Sequence, residues 1–233
     1  MSRIKDQFII RFNRHIRLQH FIFMLSFLAL VVTGLPQTYP DNAVLGRLLR
    51  MFGNEENIRT AHHWAARGFY VTYFYHVIYL GINWILRHKS PWIILPNKKD
   101  VKDAFQSILY IFGLAEEPVY DYLQYGQKID YWFTLFIAPV IALSGLTIGN
   151  EYTLEYLPGW VLAIALVTHR SSIILAVGFV TIVHFYYGHM APKAFPLNTV
   201  IFTGKMPADK YKEWYYLDYL NRTKKSDNRE TKE

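Results

Sequence analysis

The stretch LQHFIFMLSFLALVVTGL, residues 18–35, decides the fold class. It holds no Asp, Glu, Lys or Arg, and its length is close to the ~20 residues that a helix needs to cross a bilayer. A soluble bundle needs a polar face on its outer helices, and neither this run nor YWFTLFIAPVIALSGLTI, residues 131–148, has one. The runs also lack the alternation of barrel strands. We therefore expect an all-α integral membrane protein.

Two further apolar runs, at about residues 61–86 and 160–187, bring the predicted spans to four. Most of the 25 lysines and arginines lie before the first run, between the second and third, and after the fourth. The positive-inside rule then predicts a multi-pass four-helix bundle in the cytoplasmic (inner) membrane, with both termini cytoplasmic. Residues 1–210 form the predicted membrane domain, and residues 211–233 a polar cytoplasmic tail. The net charge of +7 is a signal of topology, so we expect no nucleic acid partner.

The loop between the second and third runs carries a further helical pattern. Phe105, Ile108, Leu109 and Phe112 recur at helical spacing beside charged residues. This predicts a short helix that either lies in the inner membrane interface or packs on the bundle as a plain surface helix.

Cysteine is absent from the chain. Its absence excludes disulfides, iron–sulfur clusters on thiolates, covalent c-type haem and Cys-ligated zinc. A bound redox cofactor would therefore need other protein ligands.

Histidine is the residue type that indicates function. Ionisable residues at membrane depth are costly and functional by default, and five of the nine histidines lie in or at the edge of spans: His20, His62, His76, His169 and His184. Within span two, His62 and His76 are separated by about 21 Å along a helix and by about 40° around it. Within span four, His169 and His184 are separated by about 22 Å and about 60°. Because spans two and four run in the same direction, each presents one imidazole near the outer surface and one deeper toward the cytoplasm.

Two facing imidazoles at each depth match the needs of bis-histidine haem iron. The outer pair is His62 with His169, and small side chains on both helices (Ala65, Ala66 and Ala176) leave room for a flat macrocycle. A zinc site is the weaker alternative, because imidazoles about 20 Å apart on one helix cannot share a single ion. The spacing therefore predicts two b-type haems.

The inner pair has three candidate ligands. Either His20 or His76 faces His184, and the remaining one would hydrogen-bond a quinone or a haem propionate; a third haem is the other alternative. His189 lies about 140° round an α-helix from His184 and is interpreted as a surface residue. Arg170 is predicted to neutralise a haem propionate, with snorkelling to lipid headgroups as the alternative.

Three stretches also resemble a known family: RHIRLQHFIFMLSFLALVVTGLP (14–36), AHHWAARGFYVTYFYH (61–76) and THRSSIILAVGFVTIVHFYYGHMAP (168–192). They are similar to spans one, two and four of the diheme cytochrome b subunits of membrane formate dehydrogenases, [NiFe] hydrogenases and thiosulfate reductases. VIFTGKMP (200–207) resembles the segment after the last span. The resemblance covers about residues 11–210.

The resemblance implies an outer haem on His62 and His169 and an inner haem on His20 and His184. It also implies electron transfer between membrane quinone and a partner subunit, either a multihaem cytochrome or an iron–sulfur protein. His76 departs from the formate dehydrogenase pattern and is similar to the paired-histidine helices of cytochrome b in quinol–cytochrome c complexes.

The predicted function is therefore that of a quinone-linked electron-transfer subunit of an oxidoreductase complex. Two alternatives come from other classes. The histidines could form a relay in a proton or ion transporter, or the chain could be a haem-free membrane anchor of a peripheral enzyme.

Overall fold

The computed structural model describes residues 8–87 and 94–230 and is mostly helical. The ends of the predicted domains, residues 1–7 and 231–233, lie outside the described residues, as does His88. The helices are α1 (Arg14–Thr38), α2 (Ala43–Met51), α3 (Glu55–Arg87), α4 (Lys98–Ile111), α5 (Tyr125–Gly149), α6 (Glu151–Tyr156), α7 (Gly159–Phe179), α8 (Val200–Thr203), α9 (Ala208–Trp214) and α10 (Tyr216–Glu230). A π-helix, Val180–Met190, continues α7, and a 3₁₀ turn follows at Pro192–Ala194. Strands β1 (Phe8–Ile10) and β2 (Lys205–Pro207) pair antiparallel, with Ile9 opposite Met206.

Asparagine side chains start several of these helices. Asn97 caps α4 in a reciprocal capping box with Asp100, and Asn42 accepts hydrogen bonds from two amides of the first turn of α2. Such caps satisfy amides that have no partner within the helix. Near the C-terminal end of α1, Pro36 lies in the last turn, where it removes one backbone N–H donor. The helix nevertheless continues to Thr38.

Three helical segments within the described ranges are long and apolar enough to cross a membrane: Arg14–Thr38, Tyr125–Gly149 and Gly159–Met190. They correspond to the first, third and fourth predicted spans. The second predicted span lies within α3, whose 33 residues reach about 50 Å. Histidines, Arg67 and Asn83 make α3 less apolar, but it exposes a stripe formed by Val71, Phe74, Ile78 and Ile82. A crossing by α3, the four-helix bundle and the cytoplasmic termini stay predictions.

The chain divides into two compact units. The first is drawn from Met1–Arg14, Lys89–Phe133 and Val183–Glu233, and the second from His15–His88 and Thr134–Ile182. In the second unit, Gln19 bonds His76 and Thr33 bonds His62, so α1 and α3 run antiparallel.

The other helices of the second unit are joined in the same way. Tyr70 and Tyr73 on α3 donate hydroxyl hydrogen bonds to the carbonyls of Ala142 and Leu135 on α5. His169 on α7 in turn contacts the later part of α5. The hydrogen bonds of Tyr70 and Tyr73 show that α3 and α5 run antiparallel, and the parallel direction predicted for spans two and four stays a prediction.

The first unit has a small core in which buried side chains pack together: Val200, Met206, Tyr211, Trp214 and Tyr215. Arg11 is buried beside this core, with its guanidinium carbon 3.9 Å from the centre of the Tyr215 ring, and it donates to the carbonyl of Tyr122 at 2.7 Å. The predicted division at residue 210 stays a prediction, but aromatic residues at the start of the polar tail are buried in this core.

The predicted helix in the middle loop is α4. It exposes Phe105 and Ile108 while Asp103 and Ser107 are buried on the opposite face. Buried Lys128 at the start of α5 bonds Asp100 of α4 at 2.8 Å. The first unit therefore holds α4 by its polar face and leaves its apolar face uncovered among the described residues.

Candidate functional site

Two of the five predicted ligand histidines face each other in the second unit. The imidazole of His62 on α3 and that of His169 on α7 have ring centres 6.4 Å apart and ring planes at 84°. Both side chains are half-buried. The structure thus brings together the two residues that the sequence assigns to the outer pair.

Thr33 fixes the protonation pattern of His62. The Thr33 hydroxyl donates its hydrogen to the carbonyl of Ala29 at 2.6 Å, so its oxygen accepts from Nδ1 of His62, 2.8 Å away. Nδ1 therefore carries the hydrogen, and Nε2 of the neutral ring carries the lone pair. This is the tautomer that a histidine needs in order to bind a metal through Nε2.

The same tautomer is fixed in His169 by the backbone of α5. Its Nδ1 lies 3.1 Å from the carbonyl oxygen of Ile141, which can only accept a hydrogen bond. Ser144 Oγ lies 3.3 Å from the same nitrogen and donates to the carbonyl of Val140. Nδ1 of His169 is therefore a donor, and both rings keep the lone pair on Nε2.

Two glycines make the space that these rings occupy. A Cβ on Gly145 of α5 would lie 2.8 Å from Cε1 of His169, closer than the 3.4–4 Å of ordinary contact. A Cβ on Gly34 of α1 would lie 3.1 Å from Cε1 of His62. Each imidazole is therefore held on one side by a hydrogen bond and packed directly against glycine backbone on another.

The distance between the two ring centres is compatible with a single iron bound by two imidazoles. With a metal–nitrogen bond of about 2 Å on each side and ring atoms about 1.1 Å from the ring centre, two such rings have centres about 6 Å apart. The observed 6.4 Å agrees with this spacing. Two neutral imidazoles without thiolate or carboxylate ligands are the donor set of bis-histidine haem.

The remaining candidates for the inner pair belong to different units. In the second unit, His20 is half-buried on α1, and Nδ1 of His76 donates to Oε1 of Gln19 at 2.7 Å. Nε2 of Gln19 is buried and has no hydrogen-bond partner among the described residues. His184 belongs to the first unit. Its pairing with His20 or His76 therefore stays a prediction.

His184 has a partner that the sequence analysis missed. Its Nδ1 lies 2.7 Å from Oδ2 of Asp130 on α5, in the arrangement in which carboxylates orient metal-binding histidines. The interpretation of His189 as a surface residue is wrong, because its half-buried ring lies 5.2 Å from that of His184. The two residues lie in the π-helix, where residues five apart face the same side, unlike in an α-helix.

Arg170 follows His169 on α7 and is exposed, so its predicted role toward a haem propionate stays a prediction. Sequence reasoning found the histidines but not the residues that hold them: Thr33, Gly34, Asp130, Ile141, Gly145 and Ser144. The sequence does contain a signal for Asp130. It is an acidic residue at the start of an apolar run, where an ionisable side chain is costly and functional by default.

No protein-family model matches the chain. Among curated proteins, it is similar to the cytochrome b556 subunit of formate dehydrogenase from Haemophilus influenzae, with 28% identity over 178 residues, 74% of this chain and 68% of the relative. It is also similar to the cytochrome b556 subunit of the nitrate-inducible formate dehydrogenase of Escherichia coli K12, with 23% identity over 184 residues and 78% of each chain.

Both relatives are formate dehydrogenase cytochromes. The resemblance to this group is confirmed at low identity. These similarities, with the three long apolar helices, support a membrane cytochrome b. The resemblance to hydrogenase and thiosulfate reductase subunits stays a prediction.

Proposed function

We propose that this chain is a membrane cytochrome b subunit that carries two b-type haems and transfers electrons between a quinone pool and a redox partner subunit. The observation that carries the proposal is the pair of imidazoles of His62 and His169, 6.4 Å apart, each with Nδ1 held as a donor. The similarity to formate dehydrogenase cytochrome b556 subunits supports the same cofactor.

His62 and His169 would hold the outer haem through Nε2. Bound haem supplies reversible one-electron chemistry. The residues of this chain fix the orientation of both ligands, because Thr33 and the carbonyl of Ile141 hold Nδ1 of each ring. Arg170 would neutralise a propionate near the same level.

His184 would hold the inner haem together with His20, which the family resemblance favours over His76. The pair of His76 and Gln19 would then bind the quinone or a propionate. The buried amide nitrogen of Gln19, which has no hydrogen-bond partner in the described part of the chain, supports this role. A buried donor needs a partner, and a quinone or carboxylate oxygen supplies one.

The surrounding surface suits a subunit embedded in lipid. Helices α1, α5 and α7 expose large apolar side chains such as Leu25, Leu143 and Ile164, and α3 adds its own apolar stripe. We include α3 as the second of four spans, with both termini on the cytoplasmic side and the exposed face of α4 against the inner leaflet. The redox partner would be an iron–sulfur or multihaem subunit on the outer side, where the His62–His169 pair would lie.

The test combines cofactor content with electron transfer. The full chain is purified after expression with ample porphyrin, and haem per chain and reduction by a short-chain quinol are measured for wild type, His169→Ala, His20→Ala and His76→Ala. We expect two haems in wild type, one in His169→Ala and His20→Ala, and two with impaired quinol reduction in His76→Ala.

A wild-type chain without a b-type difference spectrum contradicts the proposal and leaves a histidine relay or a haem-free anchor. Equal haem retention in His20→Ala and His76→Ala contradicts the proposed inner pairing.

A further inference from the structure

The two predicted haem sites differ in the charge of the groups behind their ligands. In the first unit, Nδ1 of His184 lies 2.7 Å from the Asp130 carboxylate. In the second unit, His62 and His169 donate instead to neutral oxygens, the hydroxyl of Thr33 and the carbonyl of Ile141. The two sites therefore differ in the hydrogen-bond acceptors of the ligands, whereas the ligands themselves are imidazoles in both sites.

Asp130 makes its direct side-chain contact with His184. The nearest basic residue before it on α5, Lys128, bonds Asp100, 2.8 Å away. Within the ranges that the structure describes, His184 is the only ion-pair partner of Asp130. The second carboxylate oxygen, Oδ1, is buried and has no hydrogen-bond partner there. No described lysine or arginine therefore forms an ion pair with Asp130.

A carboxylate that accepts the Nδ1 hydrogen makes the ring a stronger electron donor through Nε2. Greater donation stabilises the ferric state of a bound iron more than the ferrous state, so the reduction potential falls. A neutral hydroxyl or carbonyl acceptor has a weaker effect, because hydrogen bonds to an ionised group are roughly twice as strong.

We propose that Asp130 is a positioning residue that, through His184, keeps the inner haem at a lower reduction potential than the outer haem. This inference rests on the proposed function, since it requires haem at both sites. Its consequence is that the first electron to enter the subunit resides at the outer haem. The inner haem is reduced last and is the stronger reductant of the two.

The test is a potentiometric titration of the purified full chain, followed by its visible spectrum. We expect two separate one-electron waves in wild type. In His169→Ala, which removes an outer ligand, the remaining wave should be the lower one. Asp130→Asn should move the lower wave upward and leave the other in place. The expected size is at least a tenfold rise in the ratio of reduced to oxidised haem at a fixed potential, which corresponds to about 59 mV for one electron.

Two further variants separate charge from shape. Asp130→Glu keeps the carboxylate and should restore most of the wild-type potential, whereas Ser144→Ala alters a neutral partner of His169 and should leave the lower wave in place. If only the wave at the higher potential remains in His169→Ala, the inference is overturned, even if Asp130→Asn fails to bind haem. An unchanged lower wave in Asp130→Asn also overturns it. A colourless wild-type chain instead contradicts the proposed function.

Discussion

Replacement of Gly145 by Ala changes the packing against His169 and leaves the ligand residues of the site unchanged. The new Cβ would lie 2.8 Å from Cε1 and 3.2 Å from Nδ1 of His169, where ordinary contacts begin at 3.4 Å. The ring must therefore retreat by about 0.6 Å, which exceeds the tolerance of about 0.2 Å expected for metal–ligand distances. The crowded atoms belong to a ring that is held at Nδ1 by Ile141, so it cannot simply rotate away.

We expect Gly145→Ala to lose the outer haem and keep the inner one. Gly34→Ala should weaken the outer site less, because its Cβ would stand 3.1 Å from His62 and needs only half that displacement. Gly178→Ala on α7 is the matched control, since a Cβ there meets nothing within 4 Å. Alanine also stabilises a helix by about 1 kcal/mol relative to glycine, so loss of haem would not reflect a weaker helix.

The assay is haem per chain, measured by pyridine haemochrome on detergent-purified protein and supported by the reduced-minus-oxidised spectrum. The expected order of haem content is Gly178→Ala equal to wild type, then Gly34→Ala, then Gly145→Ala. If Gly145→Ala keeps the wild-type haem content and spectrum, the close approach of backbone and His169 has no role in cofactor binding. Equal losses in Gly145→Ala and Gly178→Ala would also refute the reasoning.

Three further predictions follow from other contacts. Thr33→Val removes the acceptor of the Nδ1 hydrogen of His62 and should weaken haem binding at the outer site about 10–100-fold, measured as the rate of haem transfer to apomyoglobin; an unchanged rate would show that Thr33 does not orient the ligand. Because the chain has no cysteine, single cysteines report topology without background. Lys224→Cys should react with an impermeant maleimide only in opened cells, and Glu56→Cys in intact cells; the reverse pattern would invert the orientation. Burial and the hydrogen bond to Asp218 raise the pKa of Tyr211, so the folded chain holds this proton where the unfolded chain releases it. Its contribution to stability should be complete below about pH 10 and fall above it by up to about 1.4 kcal/mol per pH unit. Thermal unfolding measured across this pH range should show this additional loss of stability in wild type and not in Tyr211→Phe.

The sequence predicts three long apolar helices and the proximity of His62 to His169, whereas the role of this pair as haem ligands stays a prediction. Fourteen-residue spacing on a regular helix sets the direction of His62 and His76, and α3 is regular over that range. The parallel direction of α3 and α7 is predicted from their order in an alternating series of spans. Both inferences depend only on helical periodicity and span count, which a single sequence displays.

Other features depend on contacts between distant parts of the chain. Hydrophobicity alone does not distinguish an α-helix from a π-helix, so the proximity of His189 to His184 was not predictable from α-helical angles. The hydrogen bonds of Thr33 and Asp130 join residues 29 and 54 positions apart, and they depend on how helices pack. The burial of Tyr211 and Tyr215 at the start of a polar tail has the same origin, since their partners lie in β2 and α8.

The central claim, two imidazoles on one iron, is tested most directly by the low-temperature electron paramagnetic resonance spectrum of the oxidised, purified chain. If His62 and His169 both bind the iron of the outer haem, the spectrum should contain a low-spin ferric signal from that haem. This signal should disappear in both His62→Ala and His169→Ala while the signal of the inner haem remains. A wild-type spectrum without low-spin ferric haem, or one that neither substitution alters, would contradict the claim.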